Sequence, residues 1–284
     1  MPDFSTAARL AATNGKLPPM AQVLARLQHL LSDVNSSLDD VAALIRLDSA
    51  LATRVIQVSN SAWFGRGGGS RTIEESVNRV GFKEVFHLVS AVGANAIVAQ
   101  PLVAYGRDAL TMWRESVTCA FAAELLAERL GEDSAVGYMN GLLHGIGRLA
   151  VNPCVAIITG DPARQLTDDG FPGDHSVAEL ALLGYTQADV AACMLAKWGF
   201  PPANAEPVRH QYDPLAADVP HDRMSAVLYC ARYLRTSLCG GQPAADIPGF
   251  SDVLESLPLS RDEVEECLPA LKQKVDRTLQ MLNA

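Results

Sequence analysis

The chain has 284 residues, of which 49% are apolar, 19% charged and only 6% aromatic. That composition excludes wholesale disorder and fills one large domain or two modest ones; with so few aromatics, Ala, Leu and Val must make the core, which suits closely packed helices better than a β-sandwich. The formal charge of −9, with residues 1–104 near neutral and the acidic excess in 105–284, excludes a broad basic surface for nucleic acid or anionic membrane.

Helical periodicity runs through almost every segment. Leu17-Pro18-Pro19 opens a helix with Val23, Leu24, Leu27, Leu30 and Leu31 at apolar positions. Asp33 to Ser37 reads as a turn, and Ser37 caps a short helix bearing Leu38, Val41 and Ile45. Asp48 caps the next, with Leu51, Val55 and Val58 on one face, running into Asn60-Ser61-Ala62-Trp63-Phe64-Gly65. Four glycines fall between Gly65 and Ser70. Thr72 with Glu75 forms a capping box for a helix that stops at Gly81, and a further helix covers about Lys83 to Ala99. Pro101 and Gly106 mark a break, with a lobe boundary near residue 105.

A long helix then spans about Asp108 to Leu130 and ends at Gly131. Tyr138 to His144 is helical and is broken by Gly145 and Gly147; the apolar run Cys154 to Ile158 is weighted towards helix. Asp168 to Gly173 reads as a loop. Helices follow at about Ser176–Leu183, Gln187–Trp198, Asn204–His210 and Asp222–Ser237, and Cys239 to Gly249 is Gly/Pro-rich and reads as mobile. A capping box of Ser260 with Glu263 opens a terminal amphipathic helix carrying Val264, Leu268, Leu271, Val275, Leu279 and Leu282. Trp113 and Trp198 sit inside apolar helical stretches and are expected as buried anchors.

The six cysteines are scattered with no CxxC pair, which reads as reduced thiols in a cytoplasmic protein. The start, MPDFSTAARLAATNGK, has no signal-peptide pattern, and no apolar run of about 18 residues suggests a membrane span. Helices 38–47 and 49–62 form a possible helix-turn-helix, but Arg54, Gln57 and Asn60 are a thin reading set, and two core helices are the simpler account. Gly65-Arg66-Gly67-Gly68-Gly69-Ser70 lacks the phosphate-loop lysine and a preceding strand, so a surface loop is favoured. Leu142-Leu143-His144-Gly145-Ile146-Gly147-Arg148-Leu149 has the form of a helix ending in the His-Asp centre of a metal-dependent phosphohydrolase. There, adjacent imidazole and carboxylate ligands hold divalent ions that activate water. Gly145 stands where the carboxylate belongs, which favours a packed or hydrogen-bonded His144.

Several stretches occur together in order: Leu17-Pro18-Pro19-Met20; the Leu38-to-Leu51 helix pair with Asp48; Asn60-Ser61-Ala62; Ile73-Glu74-Glu75 to Val80-Gly81; Trp113-Arg114-Glu115-Ser116; Gly141-Leu142-Leu143-His144; Trp198-Gly199-Phe200-Pro201; and His210. As an ordered set they resemble the HDOD family, a degenerate relative of the HD-domain phosphohydrolases, over residues 16–212. The resemblance implies an all-α fold with an N-terminal helical lobe (16–104) packed on an HD-like helical lobe (105–212), which residues 213–284 complete. It also implies a bacterial signal-transduction role beside cyclic-dinucleotide or two-component proteins.

The same resemblance locates a vestigial site at Glu115, His144, Gly145, Gln187, His210 and Arg232. An HD-type centre would carry His at 115, Asp at 145, His at 187 and Asp at 232, with a His-His pair where His210-Gln211 stands. An arginine in a ligand position opposes a cation through its fixed charge. The expected function is therefore that of a non-catalytic regulator acting through protein–protein contacts. It has no cofactor, no bound metal, and neither nucleic-acid nor membrane partners, and a small ligand in the vestigial site is left open. The alternatives are a metal-dependent phosphohydrolase with a rearranged site of Glu115, His144, His175 and His210, and a DNA-binding regulator using the N-terminal lobe.

Overall fold

The computed structural model describes Thr6 and residues 19–33, 35–61, 69–98, 100–167, 174–240, 247 and 249–283. The fold is all-α: among the described residues every regular element is a helix, and an isolated antiparallel bridge joins Leu102 and Arg107. Two compact units form, one built on Val98–Lys272 and the other on Leu17–Ile97 with Gln273–Ala284. Leu17, Pro18, the stretch 62–68 with most of the glycine loop, the loop 168–173 and residues 241–246 lie outside the described residues.

The unit of Leu17–Ile97 contains α1 (Pro19–Ser32), α2 (Leu38–Ile45), α3 (Ser49–Ser59), α4 (Ile73–Val80) and most of α5 (Phe82–Val98). Short polar side chains set the helix starts. The Ser37 hydroxyl takes the Asp40 N–H while the Asp40 carboxylate takes the Ser37 N–H, and Asp48 accepts from the Leu51 N–H at 2.9 Å. Thr72 caps α4 through the Glu75 N–H, but the Glu75 carboxylate reaches back to the Arg71 N–H, one residue before the expected box. Leu24, Leu27, Val41, Ile45, Leu51, Val55 and Val77 make the core. α5 approaches α1 at Gly93, where a Cβ would stand 2.8 Å from Leu24 Cδ2.

The unit of Val98–Lys272 is organised around α6 (Ala109–Leu130), capped by Asp108 and closed by left-handed Gly131. α7 (Ser134–Leu143) lies along α6 and comes closest at Gly141, where a Cβ would sit 2.3 Å from the Cys119 carbonyl oxygen. α8 (Gly147–Thr159) meets α10 (Gln187–Lys197) as closely, a Cβ at Gly147 falling 1.9 Å from the Gln187 carbonyl oxygen. α9 (Ser176–Leu183), α11 (Pro202–Arg209) and α12 (Asp222–Cys239) complete the packing, with α12 against α6, α7 and α11. Trp113 and Trp198 are buried, 6% and 7% exposed. All six cysteines are unbridged.

Three expectations need correction. The Ser260–Glu263 box forms, but it opens only a short α14 (Arg261–Glu265); α15 (Leu268–Asn283) starts afresh, because Pro269 has no N–H to continue the ladder. A short α13 (Phe250–Ser256) precedes them and was not foreseen. The boundary between units falls at Ile97–Val98, ahead of residue 105, and Gln273–Ala284 belongs with the N-terminal unit instead of completing the HD-like lobe. Arg54 donating to the Met281 carbonyl and Arg277 paired with Glu84 tie it there. Finally, Ser134–Thr159 is apolar and long enough to cross a membrane by length and composition, but it is mostly buried and is two core helices separated by a turn after Leu143.

Candidate functional site

His144 closes α7 and is 1% exposed. Its Nδ1 lies 2.7 Å from the Gly141 carbonyl oxygen, and its Nε2 lies 3.2 Å from Arg235 Nη1. A guanidinium only donates, so Nε2 accepts and the ring proton is on Nδ1, donated to Gly141. Burial, and then the charges of Arg235 and Arg148, hold the imidazole well below its ordinary value, so it is neutral.

The backbone of His144 is held from the other side. Gln187 and Gln211 each donate a side-chain amide proton to its carbonyl oxygen, at 3.2 and 2.9 Å, and Gln187 also donates to the Tyr212 hydroxyl. Arg232, fully buried on α12, pairs with Asp174 at 2.8 Å, donates to the Gln211 carbonyl and stacks over the Tyr212 ring. Arg235 follows one turn later on α12, 2% exposed.

Glu115 sits on α6 between guanidiniums, with Arg107 Nε 3.1 Å from Oε1 and Arg148 Nη1 3.9 Å from Oε2. Arg148 is 2% exposed and lies over the Tyr105 ring. The Tyr105 hydroxyl donates to Glu179 at 2.7 Å, and the other Glu179 oxygen accepts the Gln187 N–H at 2.7 Å. Burial pushes the Glu179 carboxyl up to about 7. His175 packs edge-on against the Tyr105 ring, 5.1 Å between centroids.

Of the six expected positions, Glu115, His144, Gln187 and Arg232 are drawn into one buried network. Gly145 adjoins it: a Cβ there would lie 3.9 Å from Arg148 Nη1, so an aspartate would point at a cation already in place. His210 is not drawn in. It ends α11 with Nε2 3.9 Å from Glu206, and Gln211 makes the inward contact. Arg148, Arg235, Tyr105, Asp174 and Glu179 were not anticipated. For the two arginines the sequence signal is a guanidinium inside an otherwise apolar helical stretch, as in Leu228 to Leu238 around Arg235; Tyr105, Asp174 and Glu179 carry none.

This donor set does not fit a divalent ion. His144 Nε2, the atom that would bind metal, faces a guanidinium, and Glu115 is held by two more. Among the described residues no group of three His, Cys, Asp or Glu side chains is placed for a metal.

The HDOD domain model matches residues 17–214. A protein from Marinobacter aquaeolei VT8, provisionally described as a signal transduction protein, superposes with a TM-score of 0.70 at 24% identity, over 95% of this chain and 59% of that one. An HDOD domain protein of unknown function from Geobacter sulfurreducens gives 0.69 at 19% identity, over 99% and 98%. A Shewanella amazonensis SB2B protein, provisionally described as a phosphohydrolase, gives 0.68 at 21%, over 99% and 98%. A curated Treponema pallidum (strain Nichols) protein, uncharacterized, is 24% identical over 85% of this chain, which spans 46% of its length. At these identities the structural likeness fixes the fold.

Proposed function

This chain belongs to the HDOD family, and from that premise we propose that it is a non-catalytic, cytoplasmic signal-transduction regulator acting through contacts with other signalling proteins. The observation that carries the reading is the Arg235–His144 contact. It spends the one imidazole nitrogen that a metal would need, with Arg148 and Arg232 buried nearby. A cation brought there would meet the guanidiniums of Arg148, Arg232 and Arg235, which hold their protons at neutral pH and cannot swing out of a packed core. The arginines supply positive charge where an HD-type centre would place its ions, but no water bound to them becomes a nucleophile.

The description of the Marinobacter relative points the same way, and family resemblance suggests cyclic-dinucleotide or two-component proteins as partners. The hydrolase reading would need Glu115, His144, His175 and His210 on one ion; His175 instead packs on Tyr105 and His210 faces Glu206. The DNA-binding reading needs free side chains on α3, yet Arg54 bonds Gln57 and the Met281 carbonyl, and Asn60 clamps the Ser70 backbone. The test is hydrolysis of p-nitrophenyl phosphate and its bis-ester with Mn²⁺, Mg²⁺ or Fe²⁺ supplied. No turnover above buffer is expected. Metal-dependent turnover that disappears in His144→Ala would overturn the proposal.

A further inference from the structure

α9 (Ser176–Leu183) turns its apolar side outward. Its one buried side chain is that of Glu179, while Val177 is 64% and Leu180 42% exposed, with Ala181 exposed beside them. Val177, Leu180 and Ala181 stand at i, i+3 and i+4 and so share one face. The helix cannot rotate to hide that face, because Glu179 is pinned inward by the Tyr105 hydroxyl and the Gln187 N–H. Along its flank runs an open recess of about 500 Å³, lined by Ala178, Ala181 and Leu182 of α9 and by Asp161, Arg164 and Leu166 of the segment that follows α8. An apolar ridge beside a recess, rimmed by charge, is the form of a docking surface.

Shape, charge and area select its occupant. The face carries both a projection and a hollow, with Ala181 belonging to each. A two-fold axis would set the Val177 and Leu180 of each copy into the recess of the other, the isologous arrangement in which residue i meets j and j meets i. Asp161 and Arg164 are both exposed; the Asp161 carboxylate accepts the Ala163 N–H, and neither side chain forms an ion pair among the described residues. A partner of one sign would satisfy one of them and oppose the other, whereas a second copy supplies the complement of both. Eight helical residues are about 12 Å long, so the ridge and recess cover on the order of 300–400 Å² per copy, about half of the ~800 Å² of a stable interface. With a net charge of −9 on each chain, that area fits a weak, reversible dimer.

We infer that the α9 face is a self-association surface: two copies of this chain pair about a two-fold axis, with Val177 and Leu180 of each seated in the recess of the other and Asp161 of each against Arg164 of the other. The pairing does not depend on what the buried site does, so the hydrolysis assay above reads the regulator proposal separately and either can fail alone.

The experiment is sedimentation equilibrium of the full chain from about 1 to 200 μM, where a monomer–dimer equilibrium with a Kd on the order of 10–100 μM is expected. Leu180→Glu and Val177→Glu, both at exposed positions, should each weaken it by about tenfold or more. Either variant serves once thermal melting by circular dichroism shows it folded. Asp161→Arg alone and Arg164→Asp alone should each weaken the dimer about fivefold, because the two-fold axis makes every contact twice. The two reversals together should restore it to within about threefold of wild type, since the same pairs re-form with signs exchanged. A chain that stays monomeric throughout, leaving the face to a partner of another kind, would overturn the inference. So would association that grows beyond dimers, a dimer unchanged in the folded Leu180→Glu and Val177→Glu variants, or a double reversal no better than the single ones.

Discussion

Glu179 makes the stability of the Val98–Lys272 unit fall as pH rises. Its carboxyl is 0% exposed, accepts from Tyr105 and from the Gln187 N–H, and is raised from 4.5 to about 7, chiefly by burial. Between those values the folded chain holds a proton that the unfolded chain has released. The stabilising contribution is therefore fully present below 4.5 and is lost as pH climbs through about 7. A shift of that size is worth on the order of 3 kcal/mol, most of which falls between pH 5 and 8. Glu179→Gln keeps the shape and cannot titrate. Urea unfolding of both proteins from pH 5 to 8 isolates the effect, because their difference cancels every other group. The wild type should lose roughly 2–3 kcal/mol relative to the variant across that range, with most of the loss before pH 7. A difference that is flat with pH would refute the reasoning about this carboxyl.

His144→Gln should leave the fold intact within about 1–2 kcal/mol, since an amide can both donate to Gly141 and accept from Arg235, and partner capture from native cytosol should survive. Complete loss of capture in a folded variant would speak against it. Gly147→Ala should destabilise by several kcal/mol or abolish soluble expression, because its Cβ would fall 1.9 Å from the Gln187 backbone oxygen, which cannot rotate aside. Trp113→Ala and Trp198→Ala should each cost about 3–5 kcal/mol in denaturant unfolding; unchanged midpoints would show that neither indole anchors the core.

The helices were legible because their caps are local chemistry. Ser37, Asp48, Asp108 and Ser260 each bond a backbone N–H within three residues, so chain order alone announces them. The restart at Leu268 was less visible, since the apolar stripe continues across Glu266 and Cys267 and conceals the effect of Pro269. At the site, Glu115, His144, Gln187 and Arg232 were legible by resemblance. What they do was not, because it depends on Arg148 and Arg235, which read as ordinary helix charges until α12 and α6 close over them. His210 and Gln211 differ by one position at a helix end. There the turn past Arg209 decides which side chain points inward, and periodicity carries no information about that turn.

The proposed function rests on arginines standing where an HD-type centre would hold metal. Elemental analysis of the full chain, purified without chelator from cells grown with iron, manganese and zinc, tests it most directly. The account predicts far less than one equivalent of any transition metal, and no gain in thermal stability when each metal is added back. Near-stoichiometric metal that is lost in His144→Ala would contradict it.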